Sequence, residues 1–476
     1  MTKAKVFVSG AFNVLHPGHI RLLRFAKEFG DYLIVAVYSD SIAKNGAHVP
    51  EQLRFEGVQS NSWVDESFIM REPIADVLMR LKPDVVVKGK EFELNYNPEK
   101  EVLEQYGGKL VFSSGETIFS SVDLIRKEFL EYQPNLSSIP HDYLSRHDLS
   151  IPALITLLLK FSKLKICVIG DLIIDEYIAC QPLGMSQEDP TIVVTPIESR
   201  QFLGGAGIVA AHAAGLGAEV YFISVTGNDL VREFALKELS NSSVKSFLLI
   251  DEKRPTTLKQ RFRSKGKTLL RVSHLHQGAV SIPIQEEILK IFKDEISSID
   301  LLVFSDFNYG CLPQPMVDQI ISIAKSRGVM MAADSQSSSQ VGDISRFKNM
   351  DLLTPTEHEA RISTRNQHDG LVVLAEQLKK QSDSKNILLK MGEEGVLVHA
   401  EVEASSWLTD RIGALNSAAK DVSGAGDSLL ITSAMALASG GNIWEGAFLG
   451  SIAAAVQVGR VGNIPIKTKE ILEELY

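Results

Sequence analysis

Residues 32–38 read Tyr-Leu-Ile-Val-Ala-Val-Tyr, seven consecutive positions without a charge or an amide. A strand that is apolar on both faces must be buried on both. That is the condition of a parallel sheet covered by helices on each side. The neighbouring sequence follows suit. Lys5–Ser9 is a second short apolar run, and between the two His19–Phe29 carries Ile20, Leu23 and Ala26 at helical spacing. Asp84–Lys88 and Lys109–Phe112 read as further strands, and Ser120–Tyr132 as a helix with a serine-rich start.

The alternation stops at Gln133–Ser150, which holds two prolines, several serines and two His-Asp pairs without periodicity. This stretch is the expected linker. A helix over Ile151–Phe161 follows, and strand patterns return at Ile166–Ile169, Glu219–Val225, Leu301–Phe304, Val329–Ala333 and Ile387–Lys390. Thr191–Ile197 and Thr257–Arg263 are β-branched or alternating, which suits an antiparallel flap. With 476 residues the chain is too long for one hydrophobic core. The expectation is α/β throughout: a first domain over 1–132, a linker over 133–150, and a second domain with a small β flap over 151–476.

Charge and cysteine content narrow the function. A formal net charge of −10 disfavours nucleic acid or an anionic membrane as the main partner. The run Ile151–Leu159 is too short to span a bilayer, and the Ala-rich stretch after Asp427 reads as buried helices. Cys167, Cys180 and Cys311 form no close pair and no Cys/His cluster, so they read as buried bystanders. A strand beginning at Lys5 leaves no room for a signal peptide, and the expected compartment is the reducing cytoplasm.

Two segments carry chemistry. The first is Gly10-Ala11-Phe12-Asn13-Val14-Leu15-His16-Pro17-Gly18-His19. His16 and His19 lie three residues apart at a strand-to-helix turn and share one face of the starting helix. Pro17 suits a first helical turn, and Gly18 leaves space for a ligand. A helix start offers free N–H groups to an anion, and two imidazoles there can stabilise an α-phosphorus under attack as pyrophosphate leaves. Capping histidines are the plain alternative, which the flanking apolar strand and amphipathic helix disfavour.

This segment resembles the HxGH nucleotidyltransferase superfamily, and more closely the nucleotidyltransferase half of bifunctional heptose-phosphate kinase/adenylyltransferases. The likeness continues through Gly30–Asp40, Lys44, Arg54, Lys82–Gly89 and Phe119-Ser120-Ser121 before Arg126. It implies a Rossmann-like domain in which Gly10, Phe12, Lys44, Lys88, Ser120 and Ser121 bind nucleotide or phosphate, with ATP or CTP as substrate. Lys44 reads equally as a solvated loop lysine, and simple N-capping accounts for Ser120 and Ser121 nearly as well. Where the family has Cys-Phe-Asp, this chain has Ala11-Phe12-Asn13, which keeps the size of the last residue and loses its charge.

The second segment is Asp421-Val422-Ser423-Gly424-Ala425-Gly426-Asp427, ahead of the apolar helix Ser428–Ala438. Small residues let backbone N–H groups converge on a γ-phosphoryl group in transfer, and Asp427 can accept the proton of an attacking hydroxyl. Around it, the chain from about Lys165 onward resembles the ribokinase/PfkB sugar kinases. Gly170–Asp175, Leu203–Gly207 and Leu389–Gly395 carry that likeness, and Gly184–Pro190 resembles the heptose-kinase subgroup.

The resemblance implies a ribokinase-like domain with Asp427 as base and Gly424, Ala425 and Gly426 as the anion-binding turn. Lys390, Gly392 and Gly395 fall on the ATP side, and Asp171, Asp175, Gly204 and Gly205 on the substrate side. Glu359 would hold Mg²⁺ indirectly, and a homodimer through the kinase domain is compatible.

The departures from the family pattern cluster. Asn is replaced at Ile208 and Thr356, and Lys at Tyr309 and Gln336. Loss of two lysines favours a changed acceptor, since lysines are natural phosphate partners. The nucleotidyltransferase also precedes the kinase here, the reverse of the usual order. The expected function is sugar or sugar-phosphate phosphorylation by ATP plus nucleotidyl transfer to a sugar phosphate. The competing expectation is a nucleotidyltransferase carrying a non-catalytic, ligand-binding kinase fold.

Overall fold

The computed structural model describes residues 4–13, 17–43, 49–89, 97–113, 139–186, 188–189, 191–264, 267–294, 298–337, 342–401, 408–416 and 419–475. The chain divides into two compact units, 1–120 and 121–476.

The first unit is a five-stranded parallel sheet. Its strands are β1 (Lys5–Gly10), β2 (Tyr32–Tyr38), β3 (Glu66–Met70), β4 (Val85–Gly89) and β5 (Lys109–Ser113), in the order β3-β2-β1-β4-β5. Apolar side chains alternate strictly between its faces. Val6, Val8, Leu33, Val35 and Val37 pack on one side, while Phe7, Ile34 and Ala36 pack on the other. This double burial is what the apolar run at 32–38 demanded. The helix expected over His19–Phe29 spans Pro17–Lys27, with proline at its first position. The helix expected over Ser120–Tyr132 lies outside the described residues.

Among its described residues the second unit holds thirteen strands: β6 (Lys165–Gly170), β7 (Leu172–Met185), β8 (Ile192–Gly205), β9 (Glu219–Thr226), β10 (Lys245–Ile250), β11 (Thr257–Ser264), β12 (Lys267–His274), β13 (Leu301–Asp306), β14 (Met330–Ser335), β15 (Leu352–Leu353), β16 (Asn386–Lys390), β17 (Val396–His399) and β18 (Thr409–Ile412). Nine form the main sheet, ordered β10-β9-β6-β13-β14-β15-β16-β17-β18 and parallel apart from β17, which runs antiparallel to both β16 and β18. Ile166, Val168, Leu301 and Val303 face one helical layer, and Cys167, Ile169, Leu302 and Phe304 face the other. The Ala-rich helices Ala425–Ala438 and Ile443–Val458 are buried in the first of these layers.

The flap is a separate four-stranded sheet, β12-β11-β7-β8. It differs from the antiparallel expectation at one place, because β11 runs parallel to β7. The two 14-residue strands β7 and β8 pair antiparallel with shifts in register after Ala179 and Pro182. All three cysteines are free and buried. Among the described residues no helix is long and apolar enough to cross a membrane.

Residues 139–150 correct the linker expectation. His141–Arg146 is a helix whose Tyr143 and Leu144 join the core of the second unit. The Tyr143 hydroxyl donates to the Trp444 carbonyl at 3.1 Å, and the His147 ring stacks on the Trp444 indole with centroids 3.9 Å apart. The two apolar residues of this short helix lie at adjacent positions, too few to register as periodicity.

Candidate active sites

In the first unit β1 ends at Gly10, and the chain turns at Phe12 with φ 48°, a left-handed conformation uncommon for a residue with a side chain. The Phe12 ring is only 3% exposed and covers Gly10, where a Cβ would lie 3.1 Å from the ring. It also approaches the His19 imidazole, with ring centroids 5.1 Å apart. Phe12, expected to contact nucleotide, therefore uses its side chain to pack the turn and support His19. His16, Lys44, Ser120 and Ser121 lie outside the described residues.

Arg54 fixes the same turn from below. Its buried guanidinium donates to the carbonyls of Ala11 (2.6 Å), Tyr38 (2.8 Å) and Val49 (2.7 Å), and to Asp40 Oδ1 (2.6 Å). The hydrogen bond from Arg54 holds the Asp40 carboxyl below its ordinary range. Lys88 is engaged with Glu99, Nζ to Oε1 2.7 Å, while the buried Glu99 Oε2 has no partner among the described residues. Both lie at the carboxyl edge of the sheet, where open α/β sheets place their ligands.

In the second unit the carboxyl ends of β6, β13, β14 and β16 converge on the start of helix Ala425–Ala438. Gly424 precedes that helix with φ 77°, and the first main-chain helical bond runs from Ser428 N to Gly424 O at 2.9 Å. Of the earlier N–H groups, that of Ala425 makes a long bond to the Val422 carbonyl at 3.4 Å, while those of Gly426 and Asp427 precede the first helical bond and can turn to an anion. Gly426 lies against Lys390, where a Cβ would stand 3.2 Å from Nζ. The Lys390 ammonium is bonded to Asp334 Oδ2 at 2.7 Å, and the buried Asp334 Oδ1 has no partner among the described residues. Burial lifts the Asp334 carboxyl to about 6 against the pull of Lys390. Burial opposes the Lys390 charge, but Asp334, Glu359 and Asp427 outweigh it and raise its pKa.

Asp427 is 5% exposed, on the first turn of the helix. Burial, followed by the negative charge of Asp334, raises its pKa to about 7. Lys390 and Lys259 pull the other way and Asp175 adds to the rise. A carboxylate tuned to neutrality suits a general base. Gln336 Nε2 donates to Asp427 Oδ1 at 3.1 Å.

The expected substrate carboxylates separate into two roles. Asp175 faces the site: Oδ1 meets Arg261 Nη2 at 3.2 Å and Oδ2 meets Asn463 Nδ2 at 3.1 Å. Gly204 allows this, since a Cβ there would collide with Asp175 Oδ2. Gly205, with φ 55°, turns the chain into the helix Ala206–Gly215. Asp171, expected to grip substrate hydroxyls, instead accepts the N–H groups of Phe307 (2.8 Å), Tyr309 (3.2 Å) and Cys311 (3.2 Å). Its carboxylate clamps the loop after β13, and burial followed by Asp306 raises its pKa to about 6.

Glu359 has each oxygen committed to a main-chain donor, Ser337 N at 3.0 Å and Thr356 N at 2.7 Å. The Thr356 Oγ1 in turn accepts the Glu359 N–H at 3.2 Å, so threonine supplies the helix cap at that position. Gly392 and Gly395 flank the turn after β16 with φ 62° and 92°, and a Cβ on Gly395 would overlap the Ile412 carbonyl. Ile208 is buried in the core, so that departure from the family pattern is a packing position.

The lost lysines have a counterpart on the flap. The β7–β11 register sets Lys259 opposite Asp175 and Arg261 opposite Tyr177, on one face. Lys259 lies over the rings of Phe307 and Tyr309, at 5.0 and 5.1 Å. This revises the charge argument made from the sequence: cations reach the site from β11. Their period of two in Lys259-Gln260-Arg261-Phe262-Arg263 was the signal to read. Asn463 carried no such signal, being brought in from the end of the chain by tertiary folding alone.

Comparison with known proteins follows the same division. Residues 163–469 match the pfkB family of carbohydrate kinases, and residues 7–133 match the cytidylyltransferase-like family. The chain is similar to the bifunctional protein HldE of Helicobacter hepaticus, 30% identical over 66% of this chain and 64% of that one. It is also similar to the same protein of Campylobacter fetus, 32% identical over 64% of this chain and 65% of that one. It therefore spans slightly under two thirds of the curated relatives' length. Among solved structures, phosphofructokinase-2 of Escherichia coli superposes with a TM-score of 0.54 at 16% identity, over 65% of this chain and 97% of that one. Arabidopsis thaliana ribokinase, solved with ribose and ATP, gives 0.51 at 18% identity, over 66% and 98%. At such identities these two likenesses speak to fold.

Proposed function

The chain belongs to the pfkB family of carbohydrate kinases and carries a cytidylyltransferase-like region ahead of the kinase; from that premise we propose a bifunctional enzyme that phosphorylates a heptose-like sugar or sugar phosphate and joins a sugar phosphate to a nucleotide. The observation that carries the kinase half is Asp427, buried at a helix start beside Lys390 with its pKa raised to about 7. A hydroxyl seated against Asp175 would give its proton to Asp427 as its oxygen attacks the γ-phosphorus of ATP. The N–H groups of the Gly424–Gly426 turn, with Ala425 giving up its long bond to the Val422 carbonyl, would donate to the phosphoryl oxygens, and Lys390 would balance their charge. The cations of β11 are compatible with an acceptor that is itself phosphorylated.

Mg²⁺ would be held through water by Glu359, whose two oxygens already accept N–H groups. When bound it would supply charge neutralisation at the phosphates. In the first unit His19, together with His16, would stabilise the α-phosphate of ATP or CTP while the sugar phosphate attacks and pyrophosphate leaves. Lys88 would approach the phosphates from the sheet edge. We assign the enzyme to the cytoplasm, with nucleotidyltransferase over 1–132 and kinase from about residue 139. The exposed apolar tip of β7 and β8, with Leu183, Met185 and Ile192, would seat a second copy.

The test is a matrix of sugars and sugar phosphates against ATP and CTP, scoring ADP and pyrophosphate separately. Both products are expected, each with its own acceptor. Pyrophosphate without ADP across the panel would leave the kinase fold as a binding domain.

A further inference from the structure

Gln336 ends a chain of hydrogen bonds that starts well away from the base. The Arg346 guanidinium donates to Asp306 Oδ2 at 2.9 Å, and the Ser335 hydroxyl donates to the same oxygen at 2.7 Å. The other oxygen of Asp306 accepts the Asn308 N–H at 3.1 Å. Asn308 stands at φ 60°, a left-handed conformation that asparagine tolerates. Its side-chain amide donates to the Gln336 carbonyl at 3.2 Å, while the Gln336 N–H is bonded to the Asp306 carbonyl at 2.8 Å. Both main-chain groups of Gln336 are thus held, and its side chain projects to Asp427 Oδ1 at 3.1 Å.

We propose that Gln336 is a positioning residue for phosphoryl transfer, fixing Asp427 through Oδ1 so that Oδ2 takes the acceptor proton. This rests on the kinase reading above. The proton passes from the acceptor hydroxyl to Oδ2, the oxygen left behind forms its bond to the γ-phosphorus, and the bond to the β–γ bridging oxygen breaks to release ADP. A carboxylate with one oxygen tied to a rigid donor keeps a single orientation, so the second lone-pair direction is set before substrate arrives. The donor is a neutral amide. It orients the base without the charge by which a lysine at this place would weaken it. Asn308 and Gln336, far apart in sequence, are therefore one device.

Asp427 also faces Asp334 on β14, Lys390 on β16, and Asp175 and Lys259 on the flap. These groups are common to every variant compared, so a change at 336 is read against a constant background. The experiment compares wild type with Gln336→Met, Gln336→Lys and Gln336→Glu in the full chain. The Asp427 carboxyl is titrated by carbon-13 NMR, assigned by its disappearance in Asp427→Asn, and the pH profile of ADP formation is recorded beside it.

Gln336→Met is expected to lower kcat for ADP formation at least tenfold with KM for ATP within twofold and an unchanged thermal midpoint. Gln336→Lys moves the Asp427 titration and the acid limb of kcat down together, by about one pH unit, and Gln336→Glu moves both up. Asp427 titrating at one pH in all four proteins overturns the proposal, as does full kcat in Gln336→Met. A wild type that forms no ADP with any acceptor sinks the kinase reading instead. The carboxyl titration still decides whether Gln336 holds Asp427.

Discussion

Gly426 and Lys390 share one small space: a methyl group on the glycine would lie 3.2 Å from the lysine ammonium. The ammonium cannot retreat freely, because Asp334 holds it at 2.7 Å. Gly426→Ala should therefore fold, with the helix start slightly favoured by alanine. It should push the Lys390 ammonium a few tenths of an ångström from its place beneath the anion-binding turn. A fall in ADP formation of about tenfold or more is expected, with pyrophosphate release unaltered. Wild-type ADP formation in this variant would show that the turn has slack and that Lys390 does not serve it.

Arg54 supports the corresponding turn of the first unit with three carbonyl contacts and one carboxylate contact. Arg54→Ala would take the buried guanidinium from the part-buried carbonyls of Ala11, Tyr38 and Val49. A loss of about 3 kcal/mol is expected. Nucleotidyl transfer should fall with it, because the Ala11 carbonyl lies next to Phe12, which in turn carries His19. Denaturant unfolding followed by a probe confined to the first unit, such as hydrogen exchange in β1 and β2, measures the loss. Arg54→Lys should rescue little, since an ammonium cannot reproduce the planar fork.

The pH dependence of the kinase has a definite sign. The base works when deprotonated, and the Asp427 carboxyl titrates at about 7 in the folded protein. ADP formation should therefore fall about tenfold per pH unit below that value. Stability runs the opposite way. A carboxyl raised from 3.8 in the unfolded chain binds its proton more tightly when folded, so the fold loses stability as pH rises from about 4 to about 7. Asp427→Asn removes this burden. The variant should abolish ADP formation and raise the unfolding midpoint, by more at pH 8 than at pH 5. A midpoint raised equally at both pH values would show that Asp427 titrates like an ordinary carboxyl.

Much of this architecture was legible in the chain because it is written in short-range periodicity. The double burial of residues 32–38, the helix after Gly18 and the buried Ala-rich helices each follow from the spacing of apolar residues alone. Both chemical segments were also visible, because glycine turns at helix starts are local. Three things were not. Asp171 carries the same side chain as Asp175, and only the loop after β13 decides that one binds backbone and the other faces the site. Asn463 reaches Asp175 across 288 positions of sequence, which no local pattern encodes. The pairing of Asn308 with Gln336 needed β13 and β14 to be neighbours.

The helix His141–Arg146 gives a last measurable consequence. A linker would tolerate substitution freely, whereas Tyr143 is fully buried, with its ring centroid 6.4 Å from those of both Trp444 and Phe448. Its hydroxyl is bonded to the Trp444 carbonyl, and the adjacent turn is held where Arg146 and His147 both meet Asp410, at 2.8 and 2.7 Å. Tyr143→Ala opens a cavity under Trp444 and removes the hydroxyl that donates to its carbonyl. A loss of about 3–4 kcal/mol from the second unit is expected. Tyr143→Phe keeps the ring and removes only the hydroxyl, so it should lose about 1 kcal/mol. Asp410→Asn should fall between them or below, since Arg146 is partly exposed although His147 is buried. Chemical unfolding of the full chain with Trp63 and Trp407 replaced by phenylalanine, followed through the fluorescence of Trp444, separates these cases. Equal stability of wild type and Tyr143→Ala would return residues 139–150 to the status of a tether, and with it the kinase boundary to residue 151.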